Sequence, residues 1–452
     1  MPASDSSRAR RPERSFRTVA GRRTIPFDYP AAAAAALPGA GLPWLDALRA
    51  EGRRLSADGL PSTRLEAWKY TSLAPLAALD FSAPAEEVRG PAALGPGALD
   101  AVEGPSLVFV NGRLSARHSR TESLTEGLRI TGLAQSLADD PAQVEALIGD
   151  ATPNGDPLAA FNTAFTADGC IVETEPGATV EEPVLLRFVA APGDAPLAYH
   201  PRVTVRVRAG SRLTLVECHE GPADGVTWSN PLVDIQVGEG AKLSHVKLQI
   251  EGDEAYHTAL TKAVLAANGR YESHLLALGA RLARHEIHVW FEGEGADCQL
   301  RGGYMARGSQ HVDNTTVIDH AVPHCESREV YKGVLDDTAR GVFQGKIIVR
   351  QDAQKTDGHQ LNRTLLLSPK AEIDTKPELE IYADDVKCSH GATAGEPEAD
   401  QLFYLRSRGL DHRTALALIV EGFMGELLEE IGHEPVRAAL AARVADWIGD
   451  AV

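Results

Sequence analysis

The chain has 452 residues, of which 43% are hydrophobic and 24% charged, and this ordinary composition excludes global disorder and suggests about three domains. The formal net charge of −18 excludes an extended surface for nucleic-acid phosphates, because polyanion binding requires clustered positive charge. The sequence contains no run of about 18 apolar residues and no apolar signal segment, so we expect a cytoplasmic protein with no membrane partner.

Residues 1–25 differ in charge from the rest of the chain. They contain seven arginines against Asp5 and Glu13, a local charge of +5, and they show no apolar periodicity. This pattern predicts a disordered tail, with an arginine-rich targeting peptide as the alternative.

Residues 26–165 are predicted to form a mostly helical N-terminal domain. Helical stretches are expected at Ala31–Ala36, around Trp44–Leu48 and at Ala142–Ile148. A short hairpin is expected at Leu107–Leu114, because an apolar run precedes Asn111-Gly112, the strongest two-residue hairpin signal.

Residues 166–395 change to a period of two, which predicts half-buried strands. Val203, Val205 and Val207 alternate with polar residues, and Val233, Ile235 and Val237 repeat the pattern. Turns with glycine recur at 210, 240, 269 and 295, with spacings of 30, 29 and 26 residues. Strand repeats of this period favour a parallel β-helix, while a sandwich or double-stranded barrel is the competing interpretation.

Residues 396–452 are predicted to form a helical C-terminal domain. Gly409 should end one helix and Asp411 should cap the next, whose apolar residues Leu416, Val420, Phe423 and Leu427 follow a single stripe. A third helix is expected at about Glu434–Trp447. A module of this size has little core of its own, so we expect it to pack on the end of the solenoid or on a partner.

Cys388 and His390 form the best local candidate for metal chemistry. Residues two apart on a strand face the same side, so these two ligands would project together about 7 Å apart. Two ligands do not close a metal site, so a third and fourth would have to come from elsewhere, including another chain. The alternative is a buried cysteine beside a hydrogen-bonded histidine.

Other histidines are weaker candidates. His285 and His288 are three apart and cannot share a metal on a regular strand, so we expect them to face solvent or lie at corners. The pairs His311 with Asp313 and His324 with Glu326 each offer only two ligands on one face. The five cysteines are far apart and never form a C-x-x-C pair, which disfavours disulfides and a zinc ribbon.

Seven stretches of the sequence have the appearance of family motifs, and most of them lie between residues 331 and 430. They are Arg64–Thr71, Gln344–Ile347, Gln351–Thr356, Leu365–Pro369, Thr375–Ile381, Asp384–Thr393 and Leu402–Gly409. Through these stretches the sequence resembles a known family, the SufB/SufD scaffold subunits of the SUF iron–sulfur assembly system. Within them, Lys387–Thr393 resembles the SufD form rather than the acidic run expected of SufB.

The resemblance implies a fold and a non-enzymatic role. The fold would be a mainly β chain in which a right-handed parallel β-helix lies between helical terminal domains. The chain would pair with SufB and bind the SufC ATPase, holding no cofactor alone but a transient iron ion or iron–sulfur cluster at the SufB interface, with His390 and Cys388 as candidate ligands. The candidate SufC-docking residues are Phe403, Tyr404, Leu405, Arg408, Leu416, Val420 and Phe423, with internal packing of the stripe as the alternative.

Two other functions are compatible with the residues. A β-helix carbohydrate-active enzyme would carry paired acidic residues on one solenoid face. A SufB-like scaffold could act as a homodimer with SufC where no separate SufB exists.

Overall fold

A computed structural model describes residues 24–29, 37–83, 94, 97–122, 124–149 and 156–451. Most of the predicted tail and the predicted helix at Ala31–Ala36 therefore lie outside the described residues. Thr24 and Ile25, the last residues assigned to the tail, instead form a short strand. Thr24 pairs with Pro61, and Ile25 pairs with Leu60.

The N-terminal part mixes short helices with strands that join the main sheets. Its helices are α1 (Pro43–Ser56), α2 (Ala74–Ala77), α3 (Leu133–Asp139), α4 (Pro141–Ile148) and α5 (Pro157–Phe165). Its strands are β1 (Thr24–Ile25), β2 (Leu60–Pro61), β3 (Ser106–Val110), β4 (Arg113–Leu114) and β5 (Leu128–Gly132).

The hairpin expected in this part is present as β3 and β4. Asn111 and Gly112 have φ angles of 52° and 76°, the left-handed conformations that a tight two-residue hairpin turn requires. Strand β3 also pairs in parallel with the second strand of the next region (Val184–Val189), and β5 pairs antiparallel with the first (Gly169–Thr174). The N-terminal strands thus continue the sheets of the β-helix.

The middle of the chain is a parallel β-helix of two sheets, which among the described residues have ten and eleven strands when the N-terminal β3, β4 and β5 are included. Its strands are β6 (Gly169–Thr174), β7 (Val184–Val189), β8 (Leu197–Tyr199), β9 (Arg202–Val207), β10 (Arg212–Glu220), β11 (Thr227–Ser229), β12 (Leu232–Val237), β13 (Lys242–Ile250), β14 (Tyr256–Leu265), β15 (Arg270–Ala277), β16 (Leu282–Phe291), β17 (Asp297–Ala306), β18 (His311–His320), β19 (Glu326–Leu335), β20 (Arg340–Val349), β21 (Asp357–Leu366), β22 (Glu372–Ile381) and β23 (Lys387–Gly395).

Successive coils stack in register. Arg212 pairs with Lys242 and His311 with Arg340, so one coil takes roughly 30 residues, as the recurring turns predicted. Gly210, Gly240 and Gly295 adopt positive φ at these turns, whereas at the third turn Asn268 takes that conformation just before Gly269. The parallel ladders show that the sandwich or barrel alternative is wrong.

The interior of the coils is filled by alternate residues of each strand. Val203, Val205 and Val207 point into one continuous apolar core with Val233 and Ile235. The outer faces of β9 and part of β12 are also buried, so the prediction of half-buried strands is wrong there. The physical reason is that the N-terminal helices cover this face, where the Arg206 guanidinium donates to the Leu147 carbonyl at 2.9 Å.

The last two C-terminal helices lie along the β-helix and not on its end. The C-terminal helices are α6 (Ala399–Ser407), α7 (His412–Leu428) and α8 (Glu434–Ala451), and Asp411 caps α7 by accepting from the Thr414 amide at 2.8 Å. Val420 and Met424 pack with Met305 and Val334 on the outer face of the ten-stranded sheet. The expected packing on the end of the solenoid is therefore wrong. The physical reason is that the apolar outer face of the ten-stranded sheet provides a surface on which these helices bury their apolar residues. Among the helices that the structure describes, none is long and apolar enough to cross a membrane.

Candidate metal or cluster site at the open end of the β-helix

The last coil leaves the β-helix open at one end. Among the described strands, β22 pairs only with β20 and β23 only with β21, so each presents an unpaired backbone edge. Residues of β22 are mostly half-buried and most of those of β23 are exposed, in contrast to the buried strands of the inner coils. The end of the solenoid thus offers hydrogen-bonding groups that no segment of the described chain satisfies.

His390 and Cys388 both lie on β23 and face the interior side of the final coil. Cys388 pairs with Gly358 and packs against the apolar core, while His390 pairs with Gln360 and is exposed. A side chain built on Gly358 would come within 3.6 Å of the Cys388 Sγ atom, so the glycine leaves room beneath the thiol. The sequence prediction that the two ligands share a face agrees with this register.

The Cys388 thiol must lose its proton before it can bind metal. Burial raises the pKa of this thiol, so the group is protonated at neutral pH and a metal must displace the proton.

A polar ladder that the sequence prediction missed runs inward from His390. Gln360, directly beneath it, donates its side-chain amide to Glu329 Oε1 at 3.2 Å, and Thr316 donates its hydroxyl to the other carboxylate oxygen at 2.5 Å. Burial raises the pKa of Glu329 to about 7. The residues follow the coil period, since Glu329 pairs with Gln360 and Gln360 with His390, so aligning the repeats would have revealed them.

The expectation for His285 is wrong. It is buried inside the β-helix next to His257, with the two ring centroids 4.9 Å apart, and is neither solvent-facing nor at a corner. His288 points to the opposite face, where its Nε2 lies 2.7 Å from a carboxylate oxygen of Glu286. The odd spacing places the two rings on different faces of β16.

The pair His311 and Asp313 lies within a structural network. The Thr71 hydroxyl donates to Asp313 at 2.5 Å and lies 2.9 Å from His311 Nε2, and Arg284 pairs with the same carboxylate. Arg284 also stacks over the Trp68 ring at 4.0 Å. The Arg64–Thr71 stretch thereby anchors the N-terminal part to the eleven-stranded sheet.

The candidate docking residues divide into two groups. Phe403 and Tyr404 are 75% and 57% exposed, and none of the nine residues of α6, all of which the structure describes, is buried. The Arg408 guanidinium stacks on the Tyr404 ring at 4.9 Å, and Leu405 and Leu416 are half-buried. Val420 is fully buried and Phe423 packs partly on the same cluster, so Val420 belongs to internal packing.

Two family models together match most of the chain. Residues 188–423 match the SufBD core domain of SUF system FeS cluster assembly, and residues 32–186 match the SufBD protein N-terminal region. The chain belongs to the SufBD family. The alternative of a carbohydrate-active enzyme depended on the β-helix fold. Membership in the SufBD family accounts for that fold, so the fold no longer favours this alternative.

Two relatives in this family align over most of their length. An iron–sulfur cluster assembly SufBD family protein of Synechocystis is 33% identical over 399 residues, which cover 85% of this chain and 88% of the relative. The iron–sulfur cluster assembly protein SufD of Escherichia coli is 32% identical over 402 residues, 87% of this chain and 90% of SufD. These alignments fit the SufD-like form of the Lys387–Thr393 run.

Proposed function

We propose that this chain is a non-catalytic, SufD-like scaffold subunit for iron–sulfur cluster assembly, which pairs through its open β-helix end with a SufB subunit. Membership in the SufBD family implies partnership within the SUF system, and the similarity to SufD supports the choice of SufB as the partner. The observation that carries the proposal is the exposed, unpaired edge of β22 and β23 with His390 on it.

Strand addition provides the physical basis for this pairing. An exposed sheet edge is satisfied when a second chain continues the ladder, as extended segments do in many complexes. A coil of the partner stacked on β22 and β23 would cover the interior-facing side chains of the last coil, including His390 and Cys388. Burial there would remove water from the ligands and hold them opposite the partner's own side chains.

The cargo of this junction is an iron ion or a nascent cluster. Iron–sulfur centres are held by about four ligands, and the open end supplies two at most. The remaining ligands would come from SufB, so the isolated chain is not expected to retain a cluster. Localisation in the cytoplasm, where the other SUF subunits would be met, is part of the same proposal.

The SufC ATPase is proposed to dock on α6 and the exposed side of α7. Phe403, Tyr404, Leu405 and Arg408 belong to this surface, with Leu416 and Phe423 at its border. Exposed aromatic and arginine side chains are the types that dominate binding energy at protein interfaces. The helix has no buried face of its own to explain its apolar residues.

Replacing both Phe403 and Tyr404 by Ala should weaken SufC binding at least about tenfold, because interface aromatics typically contribute more than 1 kcal/mol each. The free energy of unfolding should change by less than about 0.5 kcal/mol per site, since both side chains are exposed. Titration of purified SufC by calorimetry measures the first, and denaturant unfolding the second. Leu124→Ala, which removes an exposed apolar side chain from the N-terminal part, is the control. An unchanged affinity of the double variant for SufC would show that α6 is not part of the docking surface.

Coexpression with SufB and SufC of the same organism tests the partner assignment. The expected product is a single species whose mass, from light scattering after size exclusion, contains one copy of this chain and one of SufB. A homodimer of this chain with SufC that excludes SufB would favour the SufB-like alternative. A monomer that binds neither SufB nor SufC would contradict the proposed function.

A further inference from the structure

A second group of metal-ligating side chains lies inside the β-helix, far from the open end. The inner histidine cluster consists of His219 on β10, Glu251 just after β13, and His257 on β14. Strand β10 is six strands from β23 in the ten-stranded sheet, which corresponds to about 29 Å at the usual strand spacing. The cluster is therefore separate from His390.

The geometry of the inner histidine cluster is close to that of a coordination site. One candidate ligand atom from each residue lies within 4.8 Å of the other two, and all three residues are buried. A zinc or ferrous ion with bonds of about 2.0–2.2 Å places neighbouring ligand atoms roughly 3.3–3.6 Å apart. The side chains need to move inward by only about an ångström.

Buried nitrogen atoms in the cluster lack hydrogen-bond partners. Both ring nitrogens of His257 and Nδ1 of His219 make no hydrogen bond in the described structure, although His257 Nδ1 lies 2.9 Å from a Glu251 oxygen without the alignment of one. Leaving such groups unsatisfied costs about 1–3 kcal/mol each. A cation bound among these imidazole nitrogens and the carboxylate would satisfy them.

A neighbouring carboxylate holds one ligand in position. Glu217 lies 3.1 Å from His219 Nε2 and 3.0 Å from His245 Nε2. When His219 donates its Nε2 proton to this carboxylate, the lone pair on Nδ1 is left for a metal ion. This arrangement of carboxylate, histidine and metal is the common second layer of metal sites.

We propose that His219, Glu251 and His257 bind one divalent first-row transition metal ion, of the class of zinc or ferrous iron, inside the β-helix. Two imidazoles and one carboxylate are a ligand set that both ions accept, with a further position left for water or a neighbouring side chain. The site is enclosed, so the ion would enter during folding and be retained afterwards. The site would contribute to the stability of the coils around β10, β13 and β14.

The test is the metal content of the untagged full-length chain produced in medium supplemented with Zn²⁺ or, anaerobically, with Fe²⁺. Inductively coupled plasma mass spectrometry after dialysis against chelator should find about one ion per chain in at least one of the two preparations. The variants His257→Gln and Glu251→Gln should each reduce it to less than about a tenth, because a two-ligand remnant does not hold the ion. Circular dichroism identifies any variant that fails to fold. If one of the two variants fails to fold, the metal content of the other variant tests the proposal.

Two further variants separate this site from its surroundings. His274→Gln alters another buried histidine with both nitrogens unpartnered but outside the cluster, and His390→Ala removes the candidate ligand at the open end. Both should retain the ion. Wild-type protein with less than about a tenth of an ion in both media, or equal metal content in wild type and folded His257→Gln, would overturn the proposal.

Discussion

Replacing Arg284 by Met should lower the free energy of unfolding by about 3–5 kcal/mol. Arg284 is 1% exposed and pairs with Asp313, which is fully buried, and with Glu286 at 2.8 Å. A methionine keeps much of the side-chain volume against Trp68 but leaves two carboxylates without their buried cation. An uncompensated charge in the interior is one of the most destabilising single changes known for folded proteins.

Denaturant unfolding of the wild type and the variant at pH 7 measures this loss. The control is Arg281→Met, because Arg281 precedes β16 and pairs with Glu254 at the surface, where ion pairs contribute about 0–1 kcal/mol. Adding Asp313→Asn to Arg284→Met should recover part of the stability, since it removes one of the stranded charges. A loss below about 1 kcal/mol for Arg284→Met would contradict the view that this network anchors the N-terminal part.

Glu329→Gln should stabilise the protein above pH 7 by up to about 3 kcal/mol and have little effect near pH 4.5. Burial raises the pKa of Glu329 from 4.5 to about 7 in the folded state. Between these values the folded chain keeps a proton that the unfolded chain has released, so wild-type stability falls as pH rises through this window. Glutamine resembles the protonated acid and carries no such pH dependence.

The free energy of unfolding of both proteins from pH 4.5 to 8 tests this. Burial lowers the pKa of His320 to about 4, but such groups titrate in both proteins and cancel in the difference. Glu326→Gln, at an exposed position of the same strand, is the control for replacing a glutamate by glutamine. A Glu329→Gln curve parallel to that of the wild type would show that folding does not raise the pKa of Glu329.

The coil architecture could be predicted because it depends on local patterns. Alternating valines at 203–207 and 233–237 and the recurring glycines indicate stacked strands, and Asn111-Gly112 indicates the hairpin. These signals are local because side-chain alternation and turn conformation are properties of a few consecutive residues. The number of strands in each sheet and the path of α7 along the β-helix depend on contacts between distant residues, which periodicity does not specify.

The candidate site also has a part that the sequence predicts and a part that only the folded chain shows. Cys388 and His390 are two residues apart on one strand, so their shared face follows from the sequence alone. Glu329 and Gln360 lie beneath His390 only because three coils stack in register. His219 and His257 lie close together only because successive coils bring distant residues together. Burial of His285 required knowing which face of β16 is the interior.

The iron and acid-labile sulfide content of the anaerobically purified complex with SufB and SufC, for wild type beside His390→Ala, tests the scaffold role most directly. Ser389→Ala is the matched control, because Ser389 faces the opposite side and bonds to His359 at 2.6 Å. With subunit stoichiometry unchanged in all three complexes, His390→Ala should hold less than about a tenth of the wild-type cluster, and Ser389→Ala the full amount. Wild-type iron and sulfide in an intact His390→Ala complex would contradict the assignment of the cluster to this end of the β-helix.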